Sequence, residues 1–179
     1  GASAGLLDNN GASVAKAADA KNGHWVSEYI ASSTTSSSST TSREKLIDAL
    51  SRGTVFLNGA GLDYPSLAEL AGISQSVLEV PANINVYLTK PNQNVSVSPH
   101  TDAQDVLIFQ TQGRKRWRVY EPPPRTPGKN PFGRGKNGDR IDVSSELGDP
   151  IIDTWLEPGC VLYVPLGYPH ATSTAEDAE

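Results

Sequence analysis

Ser98-Pro-His-Thr-Asp-Ala-Gln-Asp-Val-Leu-Ile-Phe-Gln-Thr-Gln-Gly-Arg-Lys-Arg-Trp-Arg-Val-Tyr120 carries the strongest structural signal in the chain. It opens with His100-Thr101-Asp102, a His-x-Asp pair. In extended chain, residues i and i+2 point to the same side, so this imidazole and this carboxylate converge. Asp105 to Thr111 reads as a buried strand, Gln112-Gly113 as a turn, and Arg114 to Tyr120 as a return strand. On that strand Lys115, Trp117 and Val119 share one face, opposite Arg116, Arg118 and Tyr120. Downstream, Pro150 to Glu157 reads as a strand, Pro158-Gly159 as a turn, Cys160 to Val164 as a strand and Pro165 to Pro169 as a further turn, after which His170 opens the last segment. Short strands separated by turns at such intervals argue for a sandwich, jelly roll or barrel.

The chain has three histidines, His24, His100 and His170. A His-x-Asp pair alone is a weak signal and occurs often by chance on a surface. It gains weight from His170, which follows the Pro-Leu-Gly-Tyr-Pro turn. Two imidazole nitrogens and one carboxylate on one face of a cation form the facial triad of non-haem Fe(II) oxygenases, and they leave positions open for substrates. His100, Asp102 and His170 are therefore a candidate ligand set, with ordinary surface polar residues near turns as the other reading. His24, beside Trp25, reads most simply as a surface or packing residue.

Upstream the texture differs. Residues 1–31 are small and polar, with a weak helical rhythm around Ser13 to Ala20. Ser32 to Ser42 is an unbroken run of hydroxyl residues with no apolar face to bury, read as a linker, with a phosphorylated tail as the other reading. Residues 1–43 are thus expected to form an arm, and 44–179 the globular domain. Ser42 can cap a helix over Arg43 to Ser51 whose Leu46, Ile47 and Leu50 share a face, ended by Gly53. Thr54 to Leu57 reads as a strand, Asn58-Gly59 as a turn and Pro65 to Ala71 as a short helix. Asn83 to Thr89 alternates, with Ile84, Val86 and Leu88 opposite Asn85, Tyr87 and Thr89, and Val95 to Ser98 alternates too.

Composition narrows the function classes. The net charge of −5 does not point to direct nucleic-acid binding. No stretch approaches the roughly 18 apolar residues of a membrane span. A lone cysteine, Cys160, permits no internal disulfide and favours a reducing compartment. The start, Gly1-Ala-Ser-Ala-Gly5, has neither an initiator Met nor a signal-peptide pattern and reads as a truncated or processed end.

The stretch from Ser98 to Tyr120 resembles the core of the ribosomal oxygenases, a JmjC/cupin family of 2-oxoglutarate-dependent protein hydroxylases. Leu156-Glu-Pro-Gly-Cys-Val-Leu-Tyr-Val-Pro-Leu-Gly-Tyr-Pro-His170 resembles that family's distal-histidine stretch, and Asn83 to Thr89 the strand ahead of the first ligand. Thr54 to Ala71 resembles the strand and helix before it, so the likeness spans about residues 44–175. It implies a mostly β fold, a double-stranded β-helix (the cupin jelly roll) with a few N-terminal helices.

The resemblance also implies a chemistry. His100, Asp102 and His170 fall on the iron ligands. Lys115 falls on the basic residue that pairs with the far carboxylate of 2-oxoglutarate, with Arg114 and Arg116 as competing candidates. Asn85 and Tyr87 fall on polar positions lining the co-substrate pocket. The implied cofactors are Fe(II), 2-oxoglutarate and O2, with Mn, Ni or Zn as substitutes for iron in a crystal. The implied reaction hydroxylates a protein side chain, a histidine or arginine of a ribosomal protein; lysine demethylation and a metal-free binding module are the alternatives. The implied setting is intracellular, nuclear or nucleolar in a eukaryote and cytoplasmic in a bacterium.

The sequence departs from the family in three places. Cys160 stands where an acidic residue is common. A long loop over 122–140 carries Arg125, Lys129, Arg134, Lys136 and Arg140, and reads as a solvated insertion or a substrate-facing or rRNA-facing loop. The chain stops nine residues past His170, so the closing strands and the family's dimerisation region are expected to be missing.

Overall fold

The computed structural model describes residues 12–16, 26–29, 42–122 and 147–176. The hydroxyl run up to Thr41, His24 and the basic part of the loop over 122–140 lie outside the described residues. Among those described, the chain forms ten strands and three helices in two compact units, one made of segments up to Lys90 and one of segments from Pro91 onward.

In the first unit, β1 (Ala12–Lys16), β2 (Val26–Tyr29), β3 (Thr54–Leu57) and β4 (Val86–Leu88) form an antiparallel sheet in the order β2-β1-β3-β4. The helical rhythm read over Ser13 to Ala20 is overturned: Ala12–Lys16 is a strand paired on both sides. A weak local preference yields to the hydrogen bonds two neighbouring strands supply. Helix α1 (Ser42–Arg52) lays Leu46 and Leu50 against buried Ala49 and Val55. Ile47, expected on the same face, is 55% exposed. A second cluster centres on Leu57 and Ala60, with Tyr64, Leu67 and Val86 packed against it. The turn at Asn58-Gly59 is present; Gly59 takes φ 69°, which favours glycine, and leads into a short helix α2 (Ala60–Asp63). Helix α3 (Pro65–Leu78) starts on Pro65 as expected but runs seven residues past Ala71.

The second unit is the jelly roll. Strands β5 (Val97–His100), β7 (Lys115–Val119), β8 (Ile152–Leu156) and β10 (His170–Ser173) form an antiparallel sheet in the order β5-β10-β7-β8, and β6 (Val106–Phe109) pairs with β9 (Val161–Val164) in a second sheet. The strand-turn-strand reading of residues 105–120 is half right. Gln112-Gly113 does turn the chain, with Gly113 at φ 63°, but β6 and β7 are not partners. The turn carries the chain from one sheet to the other, the corner a two-sheet barrel needs. Nor is β6 buried throughout, since Leu107 and Phe109 are 45% and 59% exposed.

Between the sheets sits a core of Val119, Leu156, Leu162 and Val164, with Ile108, Trp117, Ile152 and Tyr168 packed against it. The alternation of Lys115, Trp117 and Val119 against Arg116 and Arg118 holds in three dimensions. Arg116 turns away from the core to bind Asp153 with two bonds, at 2.6 and 2.8 Å, and Arg118 reaches the same carboxylate at 3.5 Å. Among the described residues no helix is long and apolar enough to cross a membrane.

Candidate metal centre

Pairing brings the three expected ligands together. β5 is an edge strand, which is why it tolerates Pro99, a residue without an N–H for the ladder. The next residue, His100, lies directly opposite His170, the first residue of β10. The register between these strands slips by one before Thr172 pairs with Val97, a bulge of the kind that re-aims side chains beside functional sites. Asp102 follows two residues after His100. Its carboxylate Oδ2 lies 4.0 Å from His100 Nε2 and 3.6 Å from His170 Nε2. The imidazole rings stand 4.3 Å apart, tilted by 57°. All three side chains are buried, and a donor atom from each lies within 4.8 Å of the others.

The turn before His170 is tied to the Asp102 segment twice. Tyr168 N–H donates to the Pro165 carbonyl at 3.2 Å and Gly167 has φ 80°, so Pro165 to Tyr168 is a tight turn whose third position favours glycine. Gly167 N–H donates to the Asp102 carbonyl at 3.0 Å. The Asp105 carboxylate accepts from the Leu166 N–H at 3.0 Å and the Tyr163 hydroxyl at 2.8 Å. Those two bonds, the backbone one first, hold the Asp105 carboxyl below its ordinary range and Tyr163 above its own.

The tautomer of His170 follows from its partner. Nδ1 lies 3.0 Å from the Tyr168 carbonyl, which can only accept, so Nδ1 carries a proton and Nε2, on the side of Asp102, is the nitrogen left for a metal. An imidazole oriented through its other nitrogen is the arrangement metal ligands use. The donor set therefore fits a divalent cation: two imidazoles, one carboxylate, all out of water, converging from two segments that backbone bonds hold together. Among the described residues this is the one group of three or more such side chains that could hold a metal. Three protein donors on one side of a cation leave the other side open.

Lys115 is 9% exposed on the core face of β7. Burial pushes its ammonium down to about 8. The competing basic residues lie elsewhere. Arg116 is on Asp153, and Arg114 lies 4.7 Å over the Trp155 ring with Glu157 and Glu176 as ion partners. Trp117, two residues on from Lys115, stacks its ring 5.8 Å from that of His170 at 26°. Sequence reasoning put Trp117 on this face without giving it a role. It gave none to Asp105 either, and no local signal marks that residue. Asn85 and Tyr87 belong to the first unit. Asn85 Oδ1 accepts from the Gly59 N–H at 3.0 Å, and Tyr87 stacks on Phe56 with ring centres 6.0 Å apart. Cys160 is exposed.

A two-sheet barrel that gathers two histidines and an aspartate at one site defines a cupin-type metal-binding class. Comparison with known proteins narrows it: a JmjC domain model matches residues 64–179, so the chain belongs to the JmjC domain family. It is 38% identical over 108 residues to the bifunctional lysine-specific demethylase and histidyl-hydroxylase NO66 of Drosophila erecta, covering 60% of this chain and 16% of that protein. The Drosophila yakuba relative of the same name is 38% identical over 111 residues, 62% of this chain and 15% of its own. Among solved structures, E. coli ycfD superposes with a TM-score of 0.59 at 23% identity, covering 97% of this chain and 41% of that one. YcfD, a ribosomal oxygenase from E. coli, in complex with cobalt and 2-oxoglutarate gives 0.55 at 23% identity, covering 97% and 39%. The JmjC likeness read from the sequence is thus found again in the family model, and the solved structures share the fold. The chain spans about one sixth of the length of the fly relatives and about two fifths of the E. coli chain.

Proposed function

We propose that this chain carries the catalytic domain of an Fe(II)- and 2-oxoglutarate-dependent dioxygenase that hydroxylates a protein side chain, a histidine or arginine of a ribosomal protein. The observation that carries the reading is the convergence of His100, Asp102 and His170 at one buried point. Support comes from the cobalt and 2-oxoglutarate complex of E. coli YcfD and from the names of the fly relatives. Iron bound there supplies oxygen activation coupled to decarboxylation of 2-oxoglutarate to succinate.

The protein's own part is positioning and exclusion of water. His100 and His170 offer nitrogen lone pairs, and Asp102 offers the negative charge that favours a divalent cation over water. Tyr168 and Gly167 hold the distal ligand and the carboxylate segment in register. Lys115, buried on the face of β7 that also carries Trp117, is assigned to the far carboxylate of the dicarboxylate, since an ammonium out of water makes a strong charge-assisted contact with such a group. Asn85 and Tyr87 are assigned to the co-substrate pocket by family resemblance alone. A ribosomal-protein substrate would put the chain inside the cell, in the nucleus or nucleolus of a eukaryote or the cytoplasm of a bacterium.

The test is succinate production with ribosomal-protein peptides. Wild type should form succinate and add one oxygen to the peptide, whereas His100→Ala and Asp102→Ala should lose both bound metal and turnover. Turnover surviving in both variants would remove the iron assignment. A second reading is lysine demethylation, favoured by the bifunctional name of the fly relatives. Release of formaldehyde from a methyl-lysine peptide marks it, and a stable mass gain of one oxygen marks hydroxylation. Purified chain that takes up no divalent metal points to a binding module.

A further inference from the structure

We infer that Trp117 is a second anchor for the co-substrate, its indole N–H donating a hydrogen bond to the same carboxylate that Lys115 faces. This rests on the co-substrate reading above and adds a residue to it. The observation is an unmet donor: the Trp117 Nε1 atom is buried and has no hydrogen-bond partner. Buried polar groups are nearly always bonded, so such a nitrogen needs an explanation. An indole N–H can only donate, which limits the missing group to an acceptor.

Position says which acceptor. Trp117 lies in the middle of β7, on the face that carries Lys115 at one end and Val119 at the other. Its ring stacks against His170, so the side chain lies between the triad and the ammonium end of the face. The strand neighbour across from it in β10, Thr172, is already bonded to the Ser96 hydroxyl at 3.1 Å. A diacid spanning from the metal to Lys115 must pass this ring, and a carboxylate oxygen is the acceptor such a donor favours. The ring contact alone does not call for indole here, since phenylalanine could stack on His170 without burying a donor. Lys115 then supplies charge and Trp117 direction, and two donors on one carboxylate fix its orientation as a single ammonium cannot.

The experiment uses the whole chain with indole nitrogens labelled and Zn(II) at the metal site. The three tryptophans are Trp25, Trp117 and Trp155. The Trp117 indole resonance is identified by its loss in Trp117→Phe. Addition of 2-oxoglutarate should move that resonance downfield. Saturating succinate, which carries the far carboxylate without the keto acid, should do the same, whereas oxalate should not. Trp117→Phe should weaken 2-oxoglutarate binding roughly 10- to 100-fold while leaving Zn(II) affinity unchanged. In turnover it should raise the KM for 2-oxoglutarate with kcat little altered, a split that loss of packing would not produce. A Trp117 resonance unmoved by saturating 2-oxoglutarate overturns the inference, as does a response to oxalate but not succinate. So does Trp117→Phe binding 2-oxoglutarate as wild type does. If the Zn(II)-loaded wild type fails to bind 2-oxoglutarate at all, the co-substrate reading fails first and the inference with it. Because the resonance is read on wild type, the inference stays testable even if the variant folds poorly.

Discussion

Raising the pH from 7 to 9 should weaken 2-oxoglutarate binding about tenfold as the Lys115 ammonium loses its proton. The ammonium is buried on the core face of β7, and burial lowers its pKa from 10.5 to about 8. With that midpoint the group is about 90% charged at pH 7 and about 10% charged at pH 9. If only the charged form pairs with the far carboxylate, the apparent Kd scales with the fraction charged, which is the tenfold. Binding also pulls the pKa back up, so near pH 8 complex formation should take up about half a proton. The assay is isothermal titration of the metal-saturated protein in buffers of different ionisation enthalpy, kept above pH 7 to stay clear of free imidazole titration. Lys115→Arg should flatten the pH slope, because guanidinium stays charged throughout. Lys115→Met should lose roughly 10- to 100-fold in affinity at pH 7. The ligand-free protein reports the same group with the opposite demand. The folded pKa lies below the unfolded one, so the unfolded chain holds more protons between about pH 8 and 10.5, and stability should rise with pH across that window. The shift corresponds to about 3 kcal/mol, which Lys115→Met should return to the ligand-free fold at neutral pH. A Kd flat from pH 7 to 9 in wild type would refute the reasoning, whatever the variants do.

Three further outcomes follow from the same geometry. Asp105→Ala removes the acceptor for Leu166 N–H and the Tyr163 hydroxyl, frees the turn that carries His170, and should weaken metal affinity roughly tenfold in a direct metal titration. Leu156→Ala opens the core beside Val119, Leu162 and Val164 and should cost about 2–5 kcal/mol in denaturant unfolding, with the slope unchanged. Asp153→Ala breaks a two-point ion pair with Arg116, yet that face is partly open to solvent, so unfolding should register less than about 1 kcal/mol.

What the sequence disclosed depended on whether local geometry was enough. Parity along a strand is local, so His100 with Asp102, and Lys115 against Arg116, could be read from spacing. Turn chemistry is local too, and Gly113, Gly159 and Gly167 all take positive φ where turns were read. Pairing is not local. The same Gln112-Gly113 turn serves a hairpin or a corner between sheets, and only the pairing of β6 with β9 and of β7 with β10, tens of residues on, decides which. Helix α3 reaches Leu78, seven residues past the expected end at Ala71, and runs through Gly72 on the way. Of the triad, the distance from Asp102 to His170 lay beyond spacing arguments, and the family resemblance bridged it.

That division explains why one strand can hold so much of the proposed site. β7 lies between β10 and β8, bonded on both edges, so its side chains are placed by two ladders. Along its inner face Val119 joins the core, Trp117 stacks on the distal ligand, and Lys115 holds a charge at the far end. A change of register by one residue would send all three outward and bring Arg116 and Arg118 into the core, away from Asp153. The cost of that slip protects the register. The same alternation that makes the barrel fold therefore sets Lys115 and Trp117 on the one face of β7 that His170 adjoins.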